Sequence, residues 1–535
     1  MTIKIKYLKG YFTLIICCQM LFFTACSEEN VKDEKPPNIL FCLADDAMWK
    51  HFGAYGSDWV KTPNFDKVAK QGLLFNNAYT PDAKCGPSRS VILTGRNPWQ
   101  LEEAANHNSN FPKKFVSVAE ALHNNGYHVG YTGKGWAPGN AGIINGKKRD
   151  LLVQAFNQKK LEPPTSQISD IDYAANFKEF LGTRENKEPF FFWYGGNEPH
   201  RDYEYGSGIE KGGKSLTDID SVFGFWPDVE SIRTDMLDYA FEIEHFDKQL
   251  GKLIDNLEVT GELENTIIIV TSDNGMPFPR IKGHNYEYSN HMPLAIMWGK
   301  NIKNPGREIN DYISFTDFAA TFTSVSKIEE SKLGMLPIEG ESLEKYFESD
   351  KSEIVDPDRN FVLLGRERND VGRPNDLGYP IRGIVKDNYL YIKNFEPDLW
   401  PSSNPETGYT DTDGSPTKTF ILNQRREGEA TYWNYNFGKR PLEELYDLSV
   451  DRDCMDNLAG NENYLEIKNT MFKLMTEELT VQKDPRVLGN GDVFNSYPPA
   501  TGQGFYERYM NGETVKSDWI NKSDFEKEKI IHSSN

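Results

Sequence analysis

Two short apolar runs in this 535-residue chain end in acids. Asn38-Ile39-Leu40-Phe41-Cys42-Leu43-Ala44 leads into Asp45-Asp46, and Thr266-Ile267-Ile268-Ile269-Val270-Thr271-Ser272 leads into Asp273-Asn274-Gly275. Each run reads as a buried parallel strand. In open α/β sheets ligands collect outside the carboxyl ends of the strands, so both acid clusters are expected to face one crevice. Carboxylates and an amide, with no histidine among them, are hard oxygen ligands that suit Ca2+ or Mg2+ rather than zinc. The same side chains also cap turns and helices, and taken pair by pair the two readings stand level. Between the two runs lies Cys85-Gly86-Pro87-Ser88-Arg89, followed by Ser90-Val91-Ile92-Leu93-Thr94-Gly95-Arg96. Taken alone, it is a cysteine at a helix start, where backbone N–H groups and Arg89 would favour a thiolate.

The Cys85 string with its Leu-Thr-Gly-Arg extension resembles the signature of the formylglycine-dependent sulfatases, and the two acid pairs match that family in type and chain order. The resemblance implies that a formylglycine-generating enzyme oxidises Cys85 to 3-oxoalanine, whose hydrate is the nucleophile. A thiol attacking a sulfate ester would leave a covalent adduct with no easy exit. A gem-diol attacks through one hydroxyl, and deprotonating the other expels sulfate and restores the aldehyde. The resemblance further implies that Asp45, Asp46, Asp273 and Asn274, with the matured Cys85, bind a divalent cation, Ca2+ with Mg2+ as the alternative. Such a cation would polarise a sulfate oxygen and lower the pKa of the gem-diol.

The transition state spreads negative charge over several oxygens, which calls for fixed cations. By the same resemblance Arg89 holds the aldehyde hydrate, Lys134 (in Gly133-Lys134-Gly135) contacts sulfate, and Lys282 adds a third cation, with Arg280 as the fallback. His200, after the strand-like run Phe190-Phe191-Phe192-Trp193-Tyr194, falls on the family's sulfate-contacting histidine and is a candidate general acid. The chain departs from the pattern at Trp136, where relatives carry a histidine that serves the formylglycine, and at Asn197. His284 and His291 are the candidate stand-ins for the missing base.

These residues require a scaffold of alternating strands and helices. From about 37 to 365 the pattern alternates as a doubly wound, mostly parallel sheet requires, with amphipathic helices over 237–257 and 313–325. From about 380 strands dominate (384–385, 388–392), giving an α/β fold with a smaller C-terminal α+β subdomain built on an antiparallel sheet, and Glu443-Glu444-Leu445-Tyr446-Asp447-Leu448 resembles the family's closing segment. The expected division is a catalytic domain over 37–370, a C-terminal subdomain over 371–505 and a polar tail over 506–535 that wraps the surface.

A net charge of −20 argues against nucleic acid and against general attraction of a polyanion, so an anionic sugar must be held by local Arg and Lys groups. Arg366, Arg368, Arg373 and Arg382, set among aromatic loop residues, are the candidates, and ion pairing or loop packing explains them equally well. Residues 1–26 read as a targeting segment: Lys4, Lys6 and Lys9, an apolar stretch too short to span a bilayer, then Phe23-Thr24-Ala25-Cys26. That box resembles a bacterial lipoprotein cleavage site with Cys26 as the lipidated residue, and 27–36 forms a polar tether. The resemblance places the protein on the bacterial envelope, on the outer membrane facing outward or in the periplasm, touching the membrane only through the lipid. The expected function is sulfate-ester hydrolysis on algal (ulvan-type) or glycosaminoglycan oligosaccharides. The alternatives are an N-sulfoglucosamine sulfohydrolase, a phosphonate or phosphate monoester hydrolase, and an inactive glycan-binding lipoprotein.

Overall fold

The apolar runs do become central strands. In the computed structural model, which describes residues 35–527, an eight-stranded sheet is built from β1 (Asn38–Ala44), β2 (Leu73–Tyr79), β3 (His128–Gly133), β4 (Phe190–Gly195), β5 (Thr266–Ser272), β6 (His291–Met292), β7 (Leu294–Met297) and β8 (Arg307–Ser314). The order is β6-β2-β7-β5-β1-β4-β3, with β8 on β2. β1 pairs in parallel with β4 and β5, and β3 pairs in parallel with β4. β6 and β7 run antiparallel. β1, β4 and β5 are buried along their whole length, which is why their sequences show no polar alternation. Leu40, Phe192 and Ile268 pack into the core on one face of the sheet, and Ile39, Phe191 and Ile267 into the core on the other.

Three helices matter for the site. α1 (Cys85–Thr94) begins at the cysteine, tolerates Pro87 because its first-turn N–H groups have no intrahelical acceptor, and ends at Gly95 in the left-handed region (φ 65°). α2 (Glu230–Thr260) is longer at both ends than its apolar stripe suggested. α3 (Thr316–Val325) is shorter than expected, because Ile313 belongs to β8, where Ile309, Asp311 and Ile313 are buried alternately with half-exposed neighbours.

A four-stranded antiparallel sheet follows: β9 (Phe361–Arg366), β10 (Ile381–Lys386), β11 (Tyr389–Asn394) and β12 (Glu443–Asp447), in that order. Val362, Leu364, Val385, Leu390 and Tyr446 pack with Tyr79 and Tyr286 of the larger part. Leu363, Ile384, Tyr391 and Leu445 face the other way, onto Met471, Met475 and Leu479 of α4 (Leu465–Val481). Phe361–Arg366, which precedes the boundary expected at 370, is the first strand of this sheet. Residues 395–442, between β11 and β12, do not stay with it. They return to pack against α2, where the Thr417 hydroxyl donates to Asp235 (2.6 Å). The segment expected to be a surface tail includes α5 (Phe505–Met510) and is pinned back by the Trp519 indole N–H to the Thr410 carbonyl (2.9 Å) and by Gly414 N–H to the Trp519 carbonyl (2.8 Å).

Candidate active site

Four adjacent parallel strands end on one side of the sheet and each delivers site residues: β1 gives Asp45 and Asp46, β5 gives Asp273 and Asn274, β3 leads into Lys134, and β4 into the loop carrying His200. The close approach of the last two needs glycine. A Cβ on Gly133 would lie 1.9 Å from the Gly195 carbonyl oxygen, and one on Gly195 would lie 1.9 Å from that of Lys134. Asp46 sits in the left-handed region (φ 75°), which costs a non-glycine residue about 1–3 kcal/mol and marks a site held by its surroundings. Its backbone N–H donates to Asp273 Oδ1 (3.0 Å), while Lys282 Nζ (2.7 Å) and Asn274 Nδ2 (2.7 Å) donate to its carboxylate.

The remaining groups close around this centre. Arg89, wholly buried, donates to Asp273 Oδ2 (2.8 Å), to Asp45 Oδ1 (3.3 Å) and to the carbonyls of Lys134 and Gly135. Lys134 Nζ lies 2.5 Å from Asp45 Oδ2, and His200 Nε2 lies 3.9 Å from Asp46 Oδ2. Cys85 Sγ stands 3.4 Å from Asp45 Oδ1 and 3.7 Å from Asp46 Oδ1. Burial raises this thiol's pKa well above the ordinary range, with Lys134 opposing and Asp45 reinforcing. The thiolate reading is therefore corrected: unmodified Cys85 is a protonated donor to two carboxylates, and Arg89 is committed to Asp273 and Asp45. Burial also works against the charge on Asp45, but Lys134 and Arg89 outweigh it and hold that carboxyl well below its usual pKa.

The cluster can hold a cation. One ligand atom each from Asp45, Asp46, Cys85 and Asp273 lie within 4.8 Å of one another. Asn274 Oδ1 is buried with no hydrogen-bond partner, an unmet acceptor of the kind that costs about 1–3 kcal/mol until something satisfies it. Oxygen donors predominate, which fits a hard divalent ion.

These groups open on a cavity of about 690 Å³ lined by Lys84, Cys85, His107, Lys134, His200, Lys282, Asp370 and Asp413, with α5 and residues 514–519 forming its outer wall. Four of these were not singled out in the sequence. Lys84, 1% exposed, pairs with Asp370 (2.8 Å), which also accepts from His107 Nδ1 (2.9 Å). Asp413 accepts from Lys282 Nζ (3.0 Å). Lys84 stood next to Cys85 in the chain, and the run Asp411-Thr412-Asp413-Gly414 is an acidic loop, so weak signals existed.

Several expected roles are corrected. Arg366, Arg368, Arg373 and Arg382 do not line the cavity. They are buried, with Arg366 and Arg373 on Asp411, Arg382 on Asp484 and Glu367, and Arg368 on the Tyr497 carbonyl. At 0–3% exposure and away from the cavity, none of the four presents a guanidinium face to a sugar. Arg280 donates to the carbonyls of Tyr435 and Cys454, so Lys282 is the third cation at the centre. His284 stacks on Tyr286 beside Ser402 Oγ, and His291 is held between Trp49 and Tyr79 with Nδ1 on Glu287. Neither reaches the cavity. Cys26 and the targeting segment lie outside the described residues.

The site thus joins a buried cysteine at a helix start, a cluster of acids able to hold a cation, and the buried or half-buried cations Arg89, Lys134 and Lys282. The sulfatase family model matches residues 37–328, more than half of the chain, and the protein belongs to that family of sulfuric ester hydrolases. An ulvan-active sulfatase of Formosa agariphila is 28% identical over 466 residues, covering 85% of this chain and 82% of its own. Human N-sulphoglucosamine sulphohydrolase is 25% identical, over 89% of this chain and 95% of its own. A solved structure of a protein bound to its substrate D-glucosamine-2-N,6-O-disulfate shares the fold with a TM-score of 0.59 at 20% identity, over 84% of this chain and 99% of that one.

Proposed function

We propose that the chain hydrolyses O-sulfate esters on oligosaccharides derived from sulfated polysaccharides, through Cys85 matured to 3-oxoalanine. The observation that carries this reading is the position of Cys85: at the start of α1, within reach of Asp45 and Asp46, and opening on a cavity with Lys134, Lys282 and His200. One hydroxyl of the hydrated aldehyde attacks sulfur while His200 protonates the departing sugar oxygen. Deprotonation of the second hydroxyl then re-forms C=O and releases sulfate. Arg89, itself immobilised by Asp273 and Asp45, fixes the acids around the nucleophile. Lys134 and Lys282 face the sulfate oxygens from the cavity wall. Calcium held by Asp45, Asp46, Asp273 and Asn274 would supply Lewis-acid stabilisation of the charge that develops on the sulfate oxygens.

Calcium binding carries a pH signature. Burial, with Asp45 adding and Arg89 opposing, pushes the Asp273 carboxyl up to about 7. In the metal-free protein the folded state therefore holds a proton that the unfolded state has lost between pH about 4 and 7, so stability falls as pH rises through that window. Calcium must displace this proton below pH 7, so its affinity is expected to drop about tenfold per unit there and to level off above. Calorimetric titration from pH 5.5 to 8 measures this, and a flat affinity would argue against Asp273 as a ligand.

Substrate class is tested by sulfate release from defined ulvan, other algal and heparan oligosaccharides. Release from O-sulfated sugars is expected; release confined to N-sulfoglucosamine would replace this reading with the sulfamidase one. With the four buried arginines excluded, the exposed cations of the outer wall, Arg508 and Lys516, are the groups available to an anionic substituent on the sugar. Arg508→Ala/Lys516→Ala is expected to raise KM several-fold for a uronate-bearing oligosaccharide and leave kcat within about twofold, since exposed pairs are worth about 0–1 kcal/mol each. An unchanged KM would remove the tail from the substrate site. Lipidation at Cys26 and display on the envelope remain part of the proposal, tested by lipid labelling of wild type and Cys26→Ala.

A further inference from the structure

The second step of the reaction needs a group that takes a proton beside Cys85, and most cavity-lining side chains are already committed. Lys84, Lys134 and Lys282 are ion-paired cations. Asp413 is spent on Lys282, and Asp370 on Lys84 and His107. His200 has Nδ1 on the Arg201 carbonyl (2.6 Å) and Nε2 toward Asp46, the side of the cluster suited to a proton donor. Trp136, on the loop after Lys134, is turned away: its indole N–H donates to Ser90 Oγ (2.8 Å), further along α1, and its ring packs on Phe111.

His107 remains. Its ring lies against the residue that follows the nucleophile, since a methyl placed on Gly86 would be 3.4 Å from Cδ2, the carbon bonded to Nε2. A carboxylate only accepts, so the 2.9 Å contact with Asp370 fixes the proton on Nδ1 and leaves the Nε2 lone pair for the cavity. Lys84 holds Asp370 in turn, at 2.8 Å. Burial lowers the imidazole pKa despite Asp370, which keeps the ring neutral at physiological pH.

We propose that His107 is the catalytic base that releases sulfate, with Asp370 as its positioning residue; this rests on the reading of Cys85 as a formylglycine nucleophile. His107 Nε2 removes the proton from the free hydroxyl of the sulfated hydrate, and the O–H electron pair forms the aldehyde C=O. The bond from that carbon to the sulfate-bearing oxygen breaks, sulfate departs with its electrons, and the imidazolium passes its proton to water.

The test uses the full chain matured at Cys85, mixed with oligosaccharides from depolymerised ulvan and from heparin and followed by intact mass and by sulfate release. In His107→Ala and His107→Gln, kcat is expected to fall roughly 100- to 10,000-fold, and the enzyme to accumulate with the added mass of one SO3 unit at residue 85. Added imidazole restores part of the turnover of His107→Ala, and Asp370→Asn shows the same adduct at a smaller loss. An adduct forms only on folded enzyme, so its appearance separates lost chemistry from lost fold. Turnover within tenfold of wild type, or slow turnover with no adduct in either variant, would overturn the assignment. Wild type that carries no aldehyde at residue 85, or releases no sulfate from either mixture, overturns the functional reading itself and this step with it.

Discussion

Asp46→Asn is expected to lower kcat/KM by about a thousandfold or more, on the order of 4 kcal/mol of transition-state stabilisation, while the protein stays folded. The carboxylate receives Lys282 Nζ and Asn274 Nδ2, each at 2.7 Å, and is one of three acids in the cation cluster. Removing one negative charge therefore weakens cation binding and releases a cavity cation at the same time. Asparagine is the informative replacement because it tolerates the left-handed backbone found at this position (φ 75°), whereas alanine would add strain and confuse the readout. Bound calcium and kcat/KM should fall together. Activity within tenfold of wild type with calcium retained would show that Asp46 is not a ligand.

Arg382→Ala is expected to destabilise the fold by about 3–5 kcal/mol and to leave the KM of the surviving folded enzyme unchanged. Arg382 is 1% exposed, bridges Asp484 (2.7 Å) and Glu367 (2.7 Å), and lies over the Trp99 ring at 5.3 Å. Glu367 keeps Arg486 as a partner, but Asp484 has no other ion pair among the described residues, so the substitution leaves a buried carboxylate with its charge unpaired and the Arg486 backbone N–H (3.0 Å) still donating to it. Urea denaturation measures the loss. A raised KM with unchanged stability would restore Arg382 to the sugar site.

The contrast between these two residues shows what the chain disclosed in advance. Asp45, Asp46, Asp273 and Asn274 were legible because a buried strand, its polar end and the crevice beyond it are all local consequences of one apolar run. Cys85 stood out because Cys85-Gly86-Pro87-Ser88-Arg89 and its Leu-Thr-Gly-Arg extension resemble a family signature, and the helix start read there is where α1 begins. The arginines misled because charge in a sequence does not report burial. Their partners lie far along the chain, Asp484 being 102 positions from Arg382 and Asp411 being 45 from Arg366. Asp413 and the outer wall stayed hidden for a related reason. They reach the site only because residues 395–442 leave the small sheet for α2 and the C-terminal segment docks on them, a tertiary arrangement with no periodicity to announce it. His107 belongs to the same group, since its meaning comes from Asp370, 263 positions away.

The most direct test of hydrolysis by a matured Cys85 is sulfate released from O-sulfated oligosaccharides by enzyme whose residue 85 has been verified by mass, set against Cys85→Ala. The predicted result is turnover by the aldehyde-bearing enzyme and a loss of at least about four orders of magnitude in the variant, as expected when a covalent nucleophile is removed. Equal release by both proteins, or release by a protein whose residue 85 is still a thiol, would contradict it.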